Sequence, residues 1–190
     1  ISIEAFSSPA IEYVITLFMI LAGINFTLHF RFFDQRDFWA VWKDTEFRFF
    51  LGVTAVATGV VYFSLAGWGT GPADSFRLAL FQVVSIVTTT GYSTTNFEMW
   101  PPLGQLTLLV LMFIGGSTGS TAGGLKAARA LLLLRVLQRE FRRMAERRGI
   151  FAVRLSGKAI DEGTIQSLLN LVYLALVVNF AACIALTATG

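Results

Sequence analysis

The chain has 190 residues, 55% of them apolar and 14% charged, with a mean hydropathy of +0.66. Soluble domains run at about 45–50% apolar and about 25% charged, so this balance excludes an ordinary cytosolic domain, a disordered segment and a nucleic-acid binder built on basic patches. One cysteine, Cys183, and one histidine, His29, argue against a disulfide scaffold, a thiolate metal site and histidine-based metal or triad chemistry. The net charge of +3 matters less than where the charges sit. Ile1 opens no basic n-region, so no signal peptide is expected, and the sequence reads as a piece of a longer polypeptide.

About 20 apolar residues span a bilayer core of roughly 30 Å. In chain order, the first stretch of that kind runs from Ala10 to Phe30 with only Glu12 charged. Asn25 and His29, four apart near its inner end, share a face and read as capping or hydrogen-bonding residues rather than metal ligands. A loop follows with Arg31, Arg36, Lys43 and Arg48, then a second, uncharged stretch from Phe49 to Trp68. The next segment, Leu78–Phe97, is uncharged but changes character: LALFQVVSIV is helical, TTTGYSTT is not. From Asp74 to Thr88 a helix would reach only about 22 Å, which suits a segment that enters the membrane and turns back. A third stretch spans Met99–Leu125, and a fourth, after the basic segment Lys126–Lys158, spans Thr164–Gly190. The basic residues test this order. Phe49–Leu125 holds only Arg77, so a re-entrant Leu78–Phe97 puts every other lysine and arginine toward one face, cytoplasmic by the positive-inside rule.

The polar loop after the half-helix carries the first chemical signal. Irregular backbone at membrane depth is tolerated only where protein or a water-filled cavity satisfies its polar groups. Small hydroxyl residues around one glycine can turn successive carbonyls to an axis, where they replace the water around a dehydrated cation. The C-terminal end of the half-helix adds partial negative charge. Gly91-Tyr92 after Thr89-Thr90 parallels the TVGYG signature of potassium channels. The alternative is a polar turn without an ion, with Tyr92 an interface anchor; Trp100 and Pro101-Pro102 mark the membrane boundary and the start of the next helix.

The second signal is the run Gly115, Gly116, Ser117, Thr118, Gly119, Ser120, Thr121, Ala122, Gly123, Gly124. A helix from Leu103 to Arg148 would run about 69 Å, over twice the bilayer core, so a break here is expected. Two readings stand: an unwound loop below Gly91 that obstructs a pore, or close helix packing through small residues. A nucleotide P-loop fails, because Leu125 stands where lysine is required and Ala127 where Ser/Thr would hold magnesium. Lys126 either restrains this loop or snorkels to the cytoplasmic interface. Arg129, Arg135, Arg139, Arg142, Arg143, Arg147 and Arg148 continue into the cytosol as an anchor to anionic lipid or a dock for a cytosolic subunit. Asp161-Glu162-Gly163 fits a turn before the last helix, and Cys183 sits inert in mid-helix.

The order of half-helix, TTTGYSTTNFEMWP, spanning helix and GGSTGSTAGGLKAARALLLLR resembles the third repeat of the Trk/Ktr/HKT superfamily of potassium transporters, and is most similar to the TrkH type. GINFTLHF resembles the end of the second helix of that family's preceding repeat. The resemblance implies an all-α integral membrane protein with a potassium-channel-like M1–P–M2 repeat. In this frame residues 1–30 are the M2 helix of the preceding repeat, and 31–48 a cytoplasmic loop. Residues 49–148 form a complete repeat, with M1 at 49–68, pore helix 74–88, filter 88–95, and M2 103–148 broken at 115–124. A cytoplasmic linker at 149–163 then leads to the M1 helix of the following repeat, 164–190.

By the same resemblance, Thr89, Thr90, Gly91 and Tyr92 supply one quarter of a potassium filter, with the ion at Thr89, Thr90 and Gly91. Gly115–Gly124 would be the intramembrane gating loop and Lys126 its trailing basic residue. The implied partners are the lipid bilayer, the other three repeats, a second copy in a homodimer, and a cytosolic nucleotide-binding subunit of TrkA type. The implied location is the bacterial inner membrane. No nucleic acid, resident cofactor or covalent chemistry is expected; potassium is the substrate. The rivals are an ion-coupled secondary transporter with a broken-helix site, and a non-conducting membrane scaffold.

Overall fold

The computed structural model describes residues 2–6, 8–67, 69, 71–145, 154–155 and 158–189. Trp68 and Gly190, expected at the ends of spans, Arg147 and Arg148, and linker residues 149–153 and 156–157 lie outside them. The chain divides into two compact units, Ile1–Ala128 and Arg129–Gly190.

The first unit is built around a half-helix. Helices α1 (Pro9–Gly23), α2 (Phe26–Phe33), α3 (Phe38–Lys43) and α4 (Thr45–Leu65) precede α5 (Pro72–Val87), and α6 (Pro102–Ile114) follows it. Helix α5 packs against α1, α4 and α6, and its last two turns bury Phe81, Gln82, Val83, Val84, Ser85 and Val87. Its expected span, 74–88, lies one to two residues off. Pro72 at the first position and the following Asp74 start the helix earlier, since proline suits that position and acid suits the positive end. Around it, Phe50, Val61, Leu65, Ala79 and Leu108 form the apolar core. Helix α4 alone in this unit is long and apolar enough to cross a membrane unbroken, among the described residues.

The structure departs from the sequence expectation at two places. The stretch 10–30 is not one straight helix: α1 and α2 meet at a break over Ile24–Asn25 and bend by 100°. Asn25 is the reason on the α2 side, its side chain accepting from Thr27 N at 2.8 Å as an N-cap. His29 Nε2 reaches back to the Leu21 carbonyl at 2.8 Å, so the hydrogen-bonding reading of these two residues is the one the geometry supports. The segment 31–48 is also largely helical, because α2 runs to Phe33, α3 fills Phe38–Lys43, and Asp44 caps α4 by accepting from Phe47 N at 2.8 Å. Trp100, just ahead of the Pro102 start of α6, is 2% exposed and belongs to the core.

In the second unit, α7 (Ala127–Ala145, its residues from 129) and α8 (Glu162–Thr189) bury Leu132, Val136, Ile165 and Leu168 together. Buried Arg139 joins Glu140 and Glu162. Asp161 accepts from Gly163 N at 2.9 Å, which turns the chain into α8. Helix α8 is a second span by length and composition, and Cys183 is exposed on it. Arg154–Leu155 and Lys158–Ala159 pair as a two-residue antiparallel ladder.

One ion pair pins the half-helix to α1. Arg77 of α5 joins Glu12 and also holds Asp74 at 2.8 Å; its side chain is 17% exposed and that of Glu12 8%. Removing one partner strands a charge at low dielectric, with an expected loss of about 3–5 kcal/mol. Arg77→Met is therefore expected to lower the melting temperature in detergent, and adding Glu12→Gln should recover part of the loss. A double variant that melts at the sum of the two single losses would mean the pair carries no coupling.

Candidate functional site

The chain leaves α5 through a capping turn with an unusual occupant. The Thr89 N–H donates to Ile86 O at 3.0 Å, and the Thr90 N–H reaches further back to Ser85 O at 2.9 Å. This is the Schellman pattern, which places the residue after the cap in the left-handed region. Glycine normally sits there, but here it is Thr89, at φ +55°. A β-branched residue in that conformation is strained by about 1–2 kcal/mol. Gly91, at φ +77°, is the second left-handed residue, and Thr90 between them is not left-handed.

This alternation settles where the carbonyls point. The amides of Thr88, Thr89, Thr90 and Gly91 all turn back onto the last carbonyls of α5, at Val84, Ile86 and Ser85. All these peptides are trans, and in a trans peptide the carbonyl opposes the next residue's N–H. The carbonyls of Thr88, Thr89 and Thr90 therefore face away from the half-helix. Thr89, Thr90 and Gly91 are exposed on that side. Tyr92 stands apart: its carbonyl accepts from Ser85 Oγ at 2.5 Å, and it packs against the cluster of Ile3, Met19, Phe81 and Val84. Ser93 O accepts from Ile3 N at 2.7 Å, so the strand is clamped just past the glycine. Thr88 Oγ1 donates to Val84 O at 2.7 Å and lies 2.8 Å from Thr90 Oγ1.

The glycine-rich run is a loop, and it reaches this turn. Helix α6 stops at Ile114, and α7 starts only at Ala127, so the break extends past Gly124 to Lys126. Gly115 stands at φ +71°, and a Cβ there would collide with the Gly123 carbonyl. Gly123 N donates to Thr89 Oγ1 at 2.7 Å. The loop also fills the break in the first helix: Ser117 N donates to Gly23 O at 2.9 Å, Thr121 N to Ala22 O at 3.2 Å, and Phe26 N returns to Gly119 O at 3.0 Å. Ser120 bonds back to Ser117 O at 2.6 Å, and Ala127 N closes the loop on Gly116 O at 2.8 Å. Lys126 Nζ lies on the Ala122 carbonyl. Thr118 N meets Glu46 Oε1 at 2.5 Å.

Of Thr89, Thr90 and Gly91, it is Thr89 that meets Gly123. Gly115, Gly116, Ser117, Thr118, Gly119, Ser120, Thr121, Ala122, Gly124 and Lys126 form the loop behind that contact. Among the described residues no group of three His, Cys, Asp or Glu is placed to hold a metal. Sequence reasoning missed Ala22, Gly23 and Glu46. The glycine followed two places later by an N-cap asparagine in Gly23-Ile24-Asn25 was a readable break signal. Glu46, which acts 72 residues away, left none. Gly115→Ala is expected to lower thermal stability by several degrees in detergent, whereas Gly59→Ala, in mid-α4 with open space for a methyl, should leave it unchanged or raise it. Equal effects at the two sites would show that the loop tolerates rearrangement at Gly115.

The comparisons with known proteins agree along the whole chain. The family model TrkH, described as cation transport protein, matches residues 1–190. The potassium uptake protein TrkH of Salmonella typhimurium is 35% identical over the whole chain, and that of Vibrio parahaemolyticus 36%. In both cases the chain spans 40% of the relative's length. A crystal structure of the potassium transporter TrkH from Vibrio parahaemolyticus superimposes with a TM-score of 0.93 at 35% identity, covering all of this chain and 41% of that one. Together with the apolar spans, this makes the chain part of a predominantly helical, multi-pass membrane protein. It belongs to the TrkH family of cation transport proteins.

Proposed function

We propose that this chain contributes one of four filter segments to a potassium uptake pore, together with the loop that gates it. The observation that carries the reading is the outward turn of the Thr88, Thr89 and Thr90 carbonyls at the C-terminal end of a buried half-helix. Carbonyl oxygens in such a row replace the hydration of a potassium ion, and the helix end adds partial negative charge. Thr89, Thr90 and Gly91 are the proposed ligating segment. Tyr92 braces it, since its own carbonyl is engaged by Ser85. The names of the relatives, potassium uptake proteins, favour potassium as the ion.

Gly115–Gly124 lies against this segment through Gly123 and Thr89, which is where a gate must act. Conduction is down the electrochemical gradient, with potassium as substrate and no resident cofactor. The proposed setting is the bacterial inner membrane, with three further repeats closing the pore. A homodimer and a cytosolic TrkA-type nucleotide-binding subunit complete the assembly, the exposed Arg129, Arg142 and Arg143 of α7 offering the basic surface for the latter.

In the complete pore, Gly91→Ser is expected to lower potassium-over-sodium permeability, because a side chain at φ +77° forces the backbone to shift although there is room for its Cβ. Relative rubidium and sodium fluxes measure this, and unchanged ratios would remove the filter assignment. Deleting several residues within Gly115–Gly124 should raise potassium flux; no rise would favour close packing as the loop's role. Slow, saturable turnover insensitive to blocking cations would instead favour the carrier reading.

A further inference from the structure

Glu46 is the residue with the largest unexplained role. It stands in the first turn of α4, where a carboxylate ordinarily helps its own helix. That task is already filled, because Asp44 accepts from Phe47 N. The Glu46 carboxylate instead reaches across the fold. One oxygen, Oε1, accepts from Thr118 N at 2.5 Å and from Ala128 N at 3.1 Å. The first donor lies in the glycine loop and the second in the first turn of α7, so a single oxygen bridges the two sides of the Thr121–Lys126 segment.

We infer that Glu46 is the positioning residue that latches the glycine loop in its obstructing conformation. The inference rests on the gating reading proposed above. Four anchors hold the loop: the Ala22 and Gly23 carbonyls, the Phe26 amide, the Thr89 hydroxyl, and Glu46. The first three are neutral. Glu46 supplies the charge-assisted bonds, roughly twice as strong as neutral ones, and its charge faces the positive end of the α7 dipole. Among the described residues no lysine or arginine pairs with it, so the two amides are what its charge is fixed on. Releasing Glu46 frees the loop and the start of α7 together while leaving the Thr88–Gly91 backbone bonds intact.

The test uses the complete transporter in cells depleted of potassium, with resting rubidium uptake normalised to the protein in the membrane. Glu46→Ala is expected to raise uptake several-fold, and Glu46→Gln, which keeps an acceptor but not the charge, to raise it less. The potassium-over-sodium ratio should stay close to the wild-type value in both, because the backbone bonds of Thr88–Gly91 to α5 are untouched and only the Gly123–Thr89 hydrogen bond is released. In a background with the glycine loop shortened, Glu46→Ala should add nothing. If the loop deletion raises uptake while neither Glu46 variant does, the latch is overturned and the gate stands. If the loop deletion itself raises nothing, the gating reading falls first and the latch with it. If Glu46→Ala does not reach the membrane, Glu46→Gln decides: uptake at or below wild type overturns the latch.

Discussion

Two helices in this chain are broken, and each break is satisfied by the other. That exchange is the constraint on which the rest depends. A helix end leaves carbonyls and amides without partners, and at membrane depth there is no bulk water to take them. The end of α1 offers the carbonyls of Ala22 and Gly23, and the loop after α6 brings the amides of Thr121 and Ser117 to them. The start of α2 offers the amide of Phe26, and Gly119 returns a carbonyl. Either break alone would leave buried polar groups that each cost several kcal/mol in hydrocarbon. The small residues follow from this. A Cβ on Gly116 would stand 2.5 Å from the Cβ of Ala122, and one on Gly119 would press on Asn25, so bulk is excluded where two irregular backbones meet.

The turn at the end of the half-helix is seated on this joint. A Cβ at Gly23 would come within 2.9 Å of the Thr88 methyl, so the first break lies directly behind the start of the turn. The second break touches the next residue through Gly123 and the Thr89 hydroxyl. Thr89 needs such support. Its left-handed backbone is strained, and strained residues persist only where their surroundings over-determine them. Here two backbone amides on one side and a loop amide on the other fix it. The half-helix is held in its turn by Arg77 and Glu12 at its outer end and by the buried face packed on α1, α4 and α6.

How much of this was legible follows the same physics. Periodicity, charge placement and proline read out α4, α5, α6 and α8 to within a few residues, because each of those signals is local. The re-entrant turn was legible because six of the eight residues in TTTGYSTT are serine or threonine, whose small hydroxyl side chains an ordinary span has no reason to hold in such number. The break in the first helix was hidden inside an apolar run. Ile24 and Phe26 are as good in a span as in a corner, and only Asn25 between them signalled a cap. The burial of Trp100 was hidden for a related reason: tryptophan beside two prolines signals a membrane boundary and a helix start, but not that the residue joins the core. Glu46 lay beyond any local reading, because its partners are decided by the tertiary fold.

The arrangement also bears on how a pore of this kind would work. If the glycine loop moves, the hydrogen bond from Gly123 to Thr89 must break, and a strained residue at the base of the carbonyl row loses one of its supports. The loop and the row are then not independent parts. Whatever free energy the loop's closure gains from Thr89 is also spent in holding the row in its alternating conformation. The coupling is reciprocal, as any linkage between two sites must be: an ion that favours the row's geometry also favours the loop position that supports it. The strength of that linkage is bounded by one hydrogen bond, about 0.5–1.5 kcal/mol net, which makes it a modulation of selectivity rather than its source. On the proposed filter reading, the row itself is held by the backbone bonds of Thr88, Thr89, Thr90 and Gly91 to the end of α5, and the loop makes none of these.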